Sequence, residues 1–174
     1  MMKHILLGIL LSFSLLILAA CGGGGGSDVV LLPTVKTSAM VKVSLSGTLG
    51  TDAIAGAAFT LTLPANVTPA LTTGGTVATT VVTPSGTFAG STIAPIVTYT
   101  PATGATPATL QVVAANSVPA GVTTVGEIVT IVLQLANGAT PAATDFPVSN
   151  VSVTNTLGDP IAGISASVSD VILQ

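Results

Sequence analysis

Arginine and tryptophan do not occur in this sequence, histidine and cysteine occur once each, and charged residues make up only 5% of its 174 positions. Aromatic residues are scarcer still, at 3%. Without clustered Lys or Arg no surface can neutralise a phosphate backbone, so nucleic acid is not an expected partner. One cysteine has no intramolecular partner, so any folded domain must be held by its core without a disulfide. The lone His4 stands at the extreme N-terminus, which leaves a serine nucleophile elsewhere without its usual base; neither Lys36 nor Lys42 has a serine motif around it. No spaced ligand loop of the D-x-D-x-D kind is present, so no metal and no cofactor are expected.

The N-terminal region carries the first positive signal. Met1-Met2-Lys3-His4 is a short basic start, and the run from Ile5 to Ala20 is apolar except for Gly8, Ser12 and Ser14. That pattern reads as a helical secretion signal, residues 1–20. The run stops short of the roughly 20 residues a spanning helix needs, and no basic stop-transfer pattern follows it. It ends in Leu18-Ala19-Ala20-Cys21, which resembles the bacterial lipobox. The resemblance implies cleavage before Cys21 and lipid on its thiol, with an ordinary small-residue cleavage site as the alternative. Gly22, rather than aspartate, after the cysteine implies the outer membrane, at its periplasmic face or at the cell surface. Residues 21–39 then form a lipidated cysteine and flexible tether, because the glycines from Gly22 to Gly26 place little restriction on the backbone. A phosphate-cradling loop is excluded there, since no Lys-Ser or Lys-Thr follows and no strand precedes.

Residues 40–174 are long enough for one hydrophobic core and read as one domain. Two lysines, Lys36 and Lys42, stand against Asp28, Asp52, Glu127, Asp145, Asp159 and Asp170 beyond the signal. Such low charge combined with abundant aliphatic residues points to a folded chain rather than a disordered one. The apolar pattern has period two, the mark of strands whose side chains alternate between core and solvent. Met40 to Ser46 sets Val41, Val43 and Leu45 on one face; Ala57 to Leu63 sets Phe59, Leu61 and Leu63 inward, and Pro64 ends it. Further strands are expected at Val77–Thr83, Ile93–Tyr99, Thr109–Ala115, Ile128–Leu135, Val148–Thr154 and Ile164–Leu173. Turn residues separate them, as in Pro84-Ser85-Gly86, Asn137-Gly138 and Gly158-Asp159-Pro160. Many short strands spaced in this way predict an antiparallel β-sandwich or barrel. The Thr/Ala/Pro stretches Thr100–Pro107 and Ala139–Thr144 read as loops within the domain.

Three stretches resemble the cohesin family of β-sandwich modules, which grip dockerins in cellulose-degrading complexes. Val43-Ser44-Leu45-Ser46-Gly47, leading to Ala55-Gly56-Ala57-Ala58-Phe59-Thr60-Leu61, is similar to the family's opening strand and its "AGxxFTL" second strand. Gly126 to Leu135 is similar to a late strand. Val148-Ser149-Asn150-Val151-Ser152-Val153-Thr154-Asn155 with Gly158-Asp159-Pro160-Ile161 is similar to the "LSNVSVTDxxGNPI" hairpin. The resemblance implies an all-β, antiparallel jelly-roll sandwich of about nine strands, related to some carbohydrate-binding modules. It implies a binder of a dockerin-like or other surface protein. Residues 65–108 depart from the family's pattern, and no partner-contacting residue is carried over.

The leading expectation is therefore a non-enzymatic surface binding or scaffold module for a protein partner, attached to the membrane through lipid on Cys21. Polysaccharide binding is the alternative. It needs an aromatic platform, for which Phe88 and Phe146 in loops and, less well placed at core or sheet edge, Tyr99 are the available rings; loop rings more commonly cover the ends of a sandwich, and Phe59 is in phase with the core. A hydrolase using two carboxylates among Asp145, Asp159 and Asp170 is the third class; turn aspartates more commonly cap backbone amides. The expected core is Val43, Leu45, Phe59, Leu61, Leu63, Val129, Ile131, Leu133, Val151 and Val153.

Overall fold

Alternation between aliphatic and hydroxyl side chains does produce strands in the computed structural model, which describes residues 34–174. The signal segment, Cys21 and the glycine tether lie outside the described residues. Nine strands follow in chain order: β1 (Ser38–Ser46), β2 (Ile54–Leu63), β3 (Val67–Pro69), β4 (Val82–Pro84), β5 (Ile96–Thr100), β6 (Ala108–Ala115), β7 (Glu127–Leu135), β8 (Val148–Asn155) and β9 (Ser165–Leu173). Two single 3₁₀ turns, Gly86–Phe88 and Ala143–Asp145, are the only helical pieces among the described residues.

The strands form two antiparallel sheets. One runs β3-β7-β1-β9, with β4 also on β7; the other runs β5-β6-β2-β8. Only β5 and β6 are consecutive strands paired as a hairpin, so almost every connection crosses to the opposite sheet or leaves its neighbour. The chain closes on itself where Thr37 and Ser38 donate to the Gln174 carbonyl, at 2.8 and 3.2 Å.

The buried faces meet in one core: Val41, Val43 and Leu45 of β1, Phe59, Leu61 and Leu63 of β2, Leu110 and Val112 of β6, and Val129, Ile131 and Leu133 of β7. No polar or charged residue is buried among them. The period-two expectation therefore holds at nine of its ten core positions; the tenth, Val151, is half-buried. Its strand carries a bulge: Asn150 has φ +52°, and the register on β2 slips between Ala58 and Thr60. The extra residue puts Val148 and Val151 on one face although they are three apart, which strict alternation forbids.

Two expected strands are corrected. Of the Val77–Thr83 segment only Val82 and Thr83 are strand, because Val77 bridges back to Leu71 and Ala78 donates to the Ala70 carbonyl at 2.9 Å. That small hairpin turns at Thr72 to Thr76 and splits the edge strand on β7 into β3 and β4. β3 itself was not expected, since the three residues Val67-Thr68-Pro69 are too few to show periodicity. The strand expected at Ile93–Tyr99 begins only at Ile96, after Pro95, which has no N–H to give to a ladder.

Glu127, at the start of β7, carries the one ion pair among the described residues, 3.4 Å from Lys42 Nζ. Its carboxyl is held below the ordinary 4.5, first by the Ser85 hydroxyl, which outweighs the opposing effect of burial, and then by Lys42 and Thr130. A depressed carboxylate contributes stability above its unfolded pKa and loses it as pH falls through the lower folded value. Glu127→Gln is thus expected to lower the urea midpoint slightly at pH 7, with parent and variant converging as the pH falls through the lowered folded pKa.

Candidate binding face

The four-stranded sheet turns Phe59, Leu61, Leu110 and Val112 inward, so the intervening residues of the same strands form its outer face. The registers set these in rows. Ile96, Val113, Ala58 and Ser152 lie side by side across β5, β6, β2 and β8. The next row is Thr98, Gln111, Thr60 and Ser149, and beyond it come Thr100, Thr109 and Thr62. One row is thus apolar at its β5 end and the others are hydroxyls and one amide. Ile96 is 70% exposed and Val113 40%, an adjacent aliphatic pair facing solvent.

No charged residue stands on this face. The seven ionisable acids and lysines of the described chain are Lys36 ahead of β1, Lys42 on β1, Asp52 in the following loop, Glu127 on β7, Asp145 in a 3₁₀ turn, Asp159 in the β8–β9 turn and Asp170 on β9. All belong to the other sheet or to loops. Exposed sheets ordinarily use charge to stay soluble and unpaired, so a broad neutral face has the composition of a surface that is covered in use.

A hollow of about 450 Å³ opens on this face, lined by Gly56, Ala58, Val113, Ala115, Ser152 and Thr154 among others. Small residues make it. A Cβ at Gly56 would stand 3.3 Å from the Ala114 carbonyl oxygen and 3.4 Å from Thr154 Oγ1, so glycine there keeps the floor low and the strands close. The surrounding donors are weakly engaged: Thr154 Oγ1 reaches the Gly56 carbonyl and Ser149 Oγ the Thr60 carbonyl only at 3.5 Å, and Asn150 Nδ2 reaches Thr60 Oγ1 at 3.3 Å. Contacts this long leave the hydroxyls free to bond a partner. A larger hollow of about 570 Å³ lies over β7 where the 70–78 hairpin leaves the sheet edge. Thr68, Thr80, Val132 and Gln134 line it, and none of the aromatic or carboxylate site candidates from the sequence reaches it.

The aromatic candidates fall elsewhere. Phe88 ends the first 3₁₀ turn and is wholly buried, and Phe146 follows the second and is 2% exposed. Both stand in loops of the sequence, where covering the sandwich ends was the favoured role and a sugar platform the weaker one; the turns fold their rings into the sandwich as part of its core. Tyr99 is half-buried on β5 and lines a hollow of about 310 Å³ beside Leu63, Pro64 and Pro107. No ring lies flat and free on the four-stranded face.

The carboxylates considered for hydrolysis sit on separate elements. Asp145 accepts from the Ala142 amide at 2.8 Å, closing its own 3₁₀ turn. Asp159 gives its amide to Asn155 Oδ1 at 2.9 Å in the β8–β9 turn, and Asp170 lies opposite Lys42 in the β1–β9 register. Among the described residues no group of three His, Cys, Asp or Glu side chains is placed to hold a metal.

Fold and face together define an all-β, two-sheet module with an uncharged sheet surface. No family model, curated protein or solved structure matches the chain.

Proposed function

We propose that this chain is a lipid-anchored, non-enzymatic surface module that recognises a protein partner through the outer face of β5-β6-β2-β8. The observation that carries the reading is the absence of charge from that face, combined with the exposed Ile96–Val113 pair beside the small-residue hollow. An aliphatic and hydroxyl-lined surface suits a protein surface of matching shape: the aliphatic pair supplies desolvation and the threonines supply hydrogen bonds. The cohesin-like stretches support it, since they supply β1, β2, β7 and β8, which carry the sandwich. The alternation of chain segments between two sheets supports a jelly-roll path. The lipobox-like Leu18-Ala19-Ala20-Cys21 supports attachment to the outer membrane, where a tethered binder stays at the envelope.

A photo-reactive side chain placed at Val113 in the native envelope tests the face. It is expected to label one protein, and Ala58→Arg is expected to abolish that labelling while Lys42→Ala, on the opposite sheet, leaves it. Loss with Lys42→Ala but not with Ala58→Arg would move the site off this face. Binding of a polysaccharide that depends on Tyr99 would replace the protein reading with the glycan one. Anchoring is tested separately: Cys21→Ala is expected to incorporate no labelled fatty acid and to leave the membrane fraction.

A further inference from the structure

A sandwich has four open strand edges, and each offers unpaired N–H and C=O groups to any extended chain. Three of these edges are guarded. β9 bulges at Ser169, where its register on β1 slips, and carries Asp170 beside the slip. β8 bulges at Asn150, and its far half is covered where Asn155 and Ile161 exchange backbone bonds with Asp159 and Val153. The edge on β7 is broken into β3 and β4 and ends in Pro69 and Pro84. β5 has none of these devices. Its five residues, Ile96-Val97-Thr98-Tyr99-Thr100, pair with β6 in unbroken register, contain no charge and no proline, and make no backbone bond on their other side among the described residues.

We propose that β5 is a self-association edge, pairing antiparallel with β5 of a second copy of this chain and joining two four-stranded sheets into one of eight. This stands whether or not the outer face binds a protein. The argument for a second copy rests on what two-fold symmetry demands. In an isologous contact each residue meets its own surroundings, so any charge near the axis faces its own sign. A strand with no charge escapes that repulsion, and β5 is the one edge that has none and no bulge. Pro95 and Pro101 bracket it and limit the added ladder to the same five residues in both copies. With the axis at Thr98, Val97 of one copy lies opposite Tyr99 of the other. Both are half-buried against the core in the single chain, and aromatic with β-branched cross-strand pairs are favourable. Ile96, the more exposed member of the aliphatic pair, then lies opposite Thr100 of the other copy.

The test uses the full chain in detergent. Sedimentation in density-matched detergent is expected to give a two-chain mass for the parent and a one-chain mass for Thr98→Lys, with unchanged far-UV circular dichroism because Thr98 is exposed. Directly opposed residues in an antiparallel pair lie about 4.5–5.5 Å apart between Cα atoms, within reach of a disulfide. Thr98→Cys is therefore expected to form a covalent dimer on mild oxidation, whereas Thr60→Cys, in the middle of the sheet, and the parent with Cys21 alone form none. A one-chain mass for the parent, a Thr98→Lys variant that remains a dimer, or a Thr98→Cys chain that links only to a different protein would each overturn the proposal.

Discussion

Phe59→Ala is expected to cost about 3–5 kcal/mol of folding stability and to lower the melting temperature by about 10–20 °C. Phe59 is 1% exposed at the middle of β2, itself an interior strand between β6 and β8, and it sits opposite Val112. It is one of three phenylalanines in a core otherwise built from Val, Leu, Ile and Ala. The branched aliphatic residues around it are fixed in the two ladders and cannot collapse into the space its ring would leave. No disulfide restrains the described domain, and typical domains are stable by only about 5–15 kcal/mol, so this one change removes a large share of the margin. Urea denaturation of Phe59→Ala and Phe59→Leu checks it. The leucine variant should recover more than half of the loss, because it restores most of the apolar volume. Val113→Ala, one position from the same ladder but on the outer face, should change stability by less than about 1 kcal/mol. Equal losses at Phe59 and Val113 would mean that the register runs the other way.

Gly86→Ala is expected to destabilise by about 2–5 kcal/mol, well beyond the same change at Gly90. Both glycines have positive φ, +52° and +79°, so both substitutions incur the left-handed penalty of roughly 1–2 kcal/mol. They differ in surroundings. A Cβ on Gly86 would stand 2.6 Å from Glu127 Cβ and 2.8 Å from the Glu127 carbonyl carbon, and closer still to its oxygen, whereas one on Gly90 meets nothing within 4 Å. The segment cannot retreat, because it is pinned to β7 on either side. The Ser85 amide donates to the Ile128 carbonyl at 2.9 Å, and Thr87 Oγ1 donates to the Glu127 carbonyl at 3.0 Å. Relief would require lifting the 3₁₀ turn, and with it Phe88, out of the core. The difference between the two variants in denaturant midpoint therefore measures the close approach alone. Equal losses at the two positions would show that the turn is free to move off β7.

Phe59 and Phe88 show where sequence reading succeeds and where it stops. Phe59 was legible because β2 alternates without interruption, so its phase with Leu61 and Leu63 already assigns it to the core. Phe88 was legible only as a loop ring that tends to be buried, because a single turn with no periodicity carries it, and its place in the core depends on bonds to β7 from some 40 positions along the chain. β8 shows a third situation: its residues are right as a strand, yet the bulge at Asn150 shifts the phase of everything before it. A bulge needs only one residue to take φ +52°, which Asn tolerates, and nothing in the alternation announces it.

The outer face of the four-stranded sheet follows the same division. That Ala58, Thr60 and Thr62, or Thr109, Gln111 and Val113, point away from the core is implied by the phase of their own strands. That these residues, with Ile96 and Ser152, form one uncharged surface is not, since strands distant in the chain build it.

The amino-acid order by itself determined that residues 40–174 form strands rather than helices, which residues of each long strand face inward, and that no disulfide or dense charge supports their fold. Those properties are local, set by side-chain alternation and by the positions of proline and glycine. Only the tertiary structure decided which strands share a sheet, that Phe88 and Phe146 belong to the core, that the charges collect away from the four-stranded face, and that β5 is its unguarded edge. Pairing between strands is a contest among many neutral, similar partners, and closing one core around all of them is what selects a single arrangement.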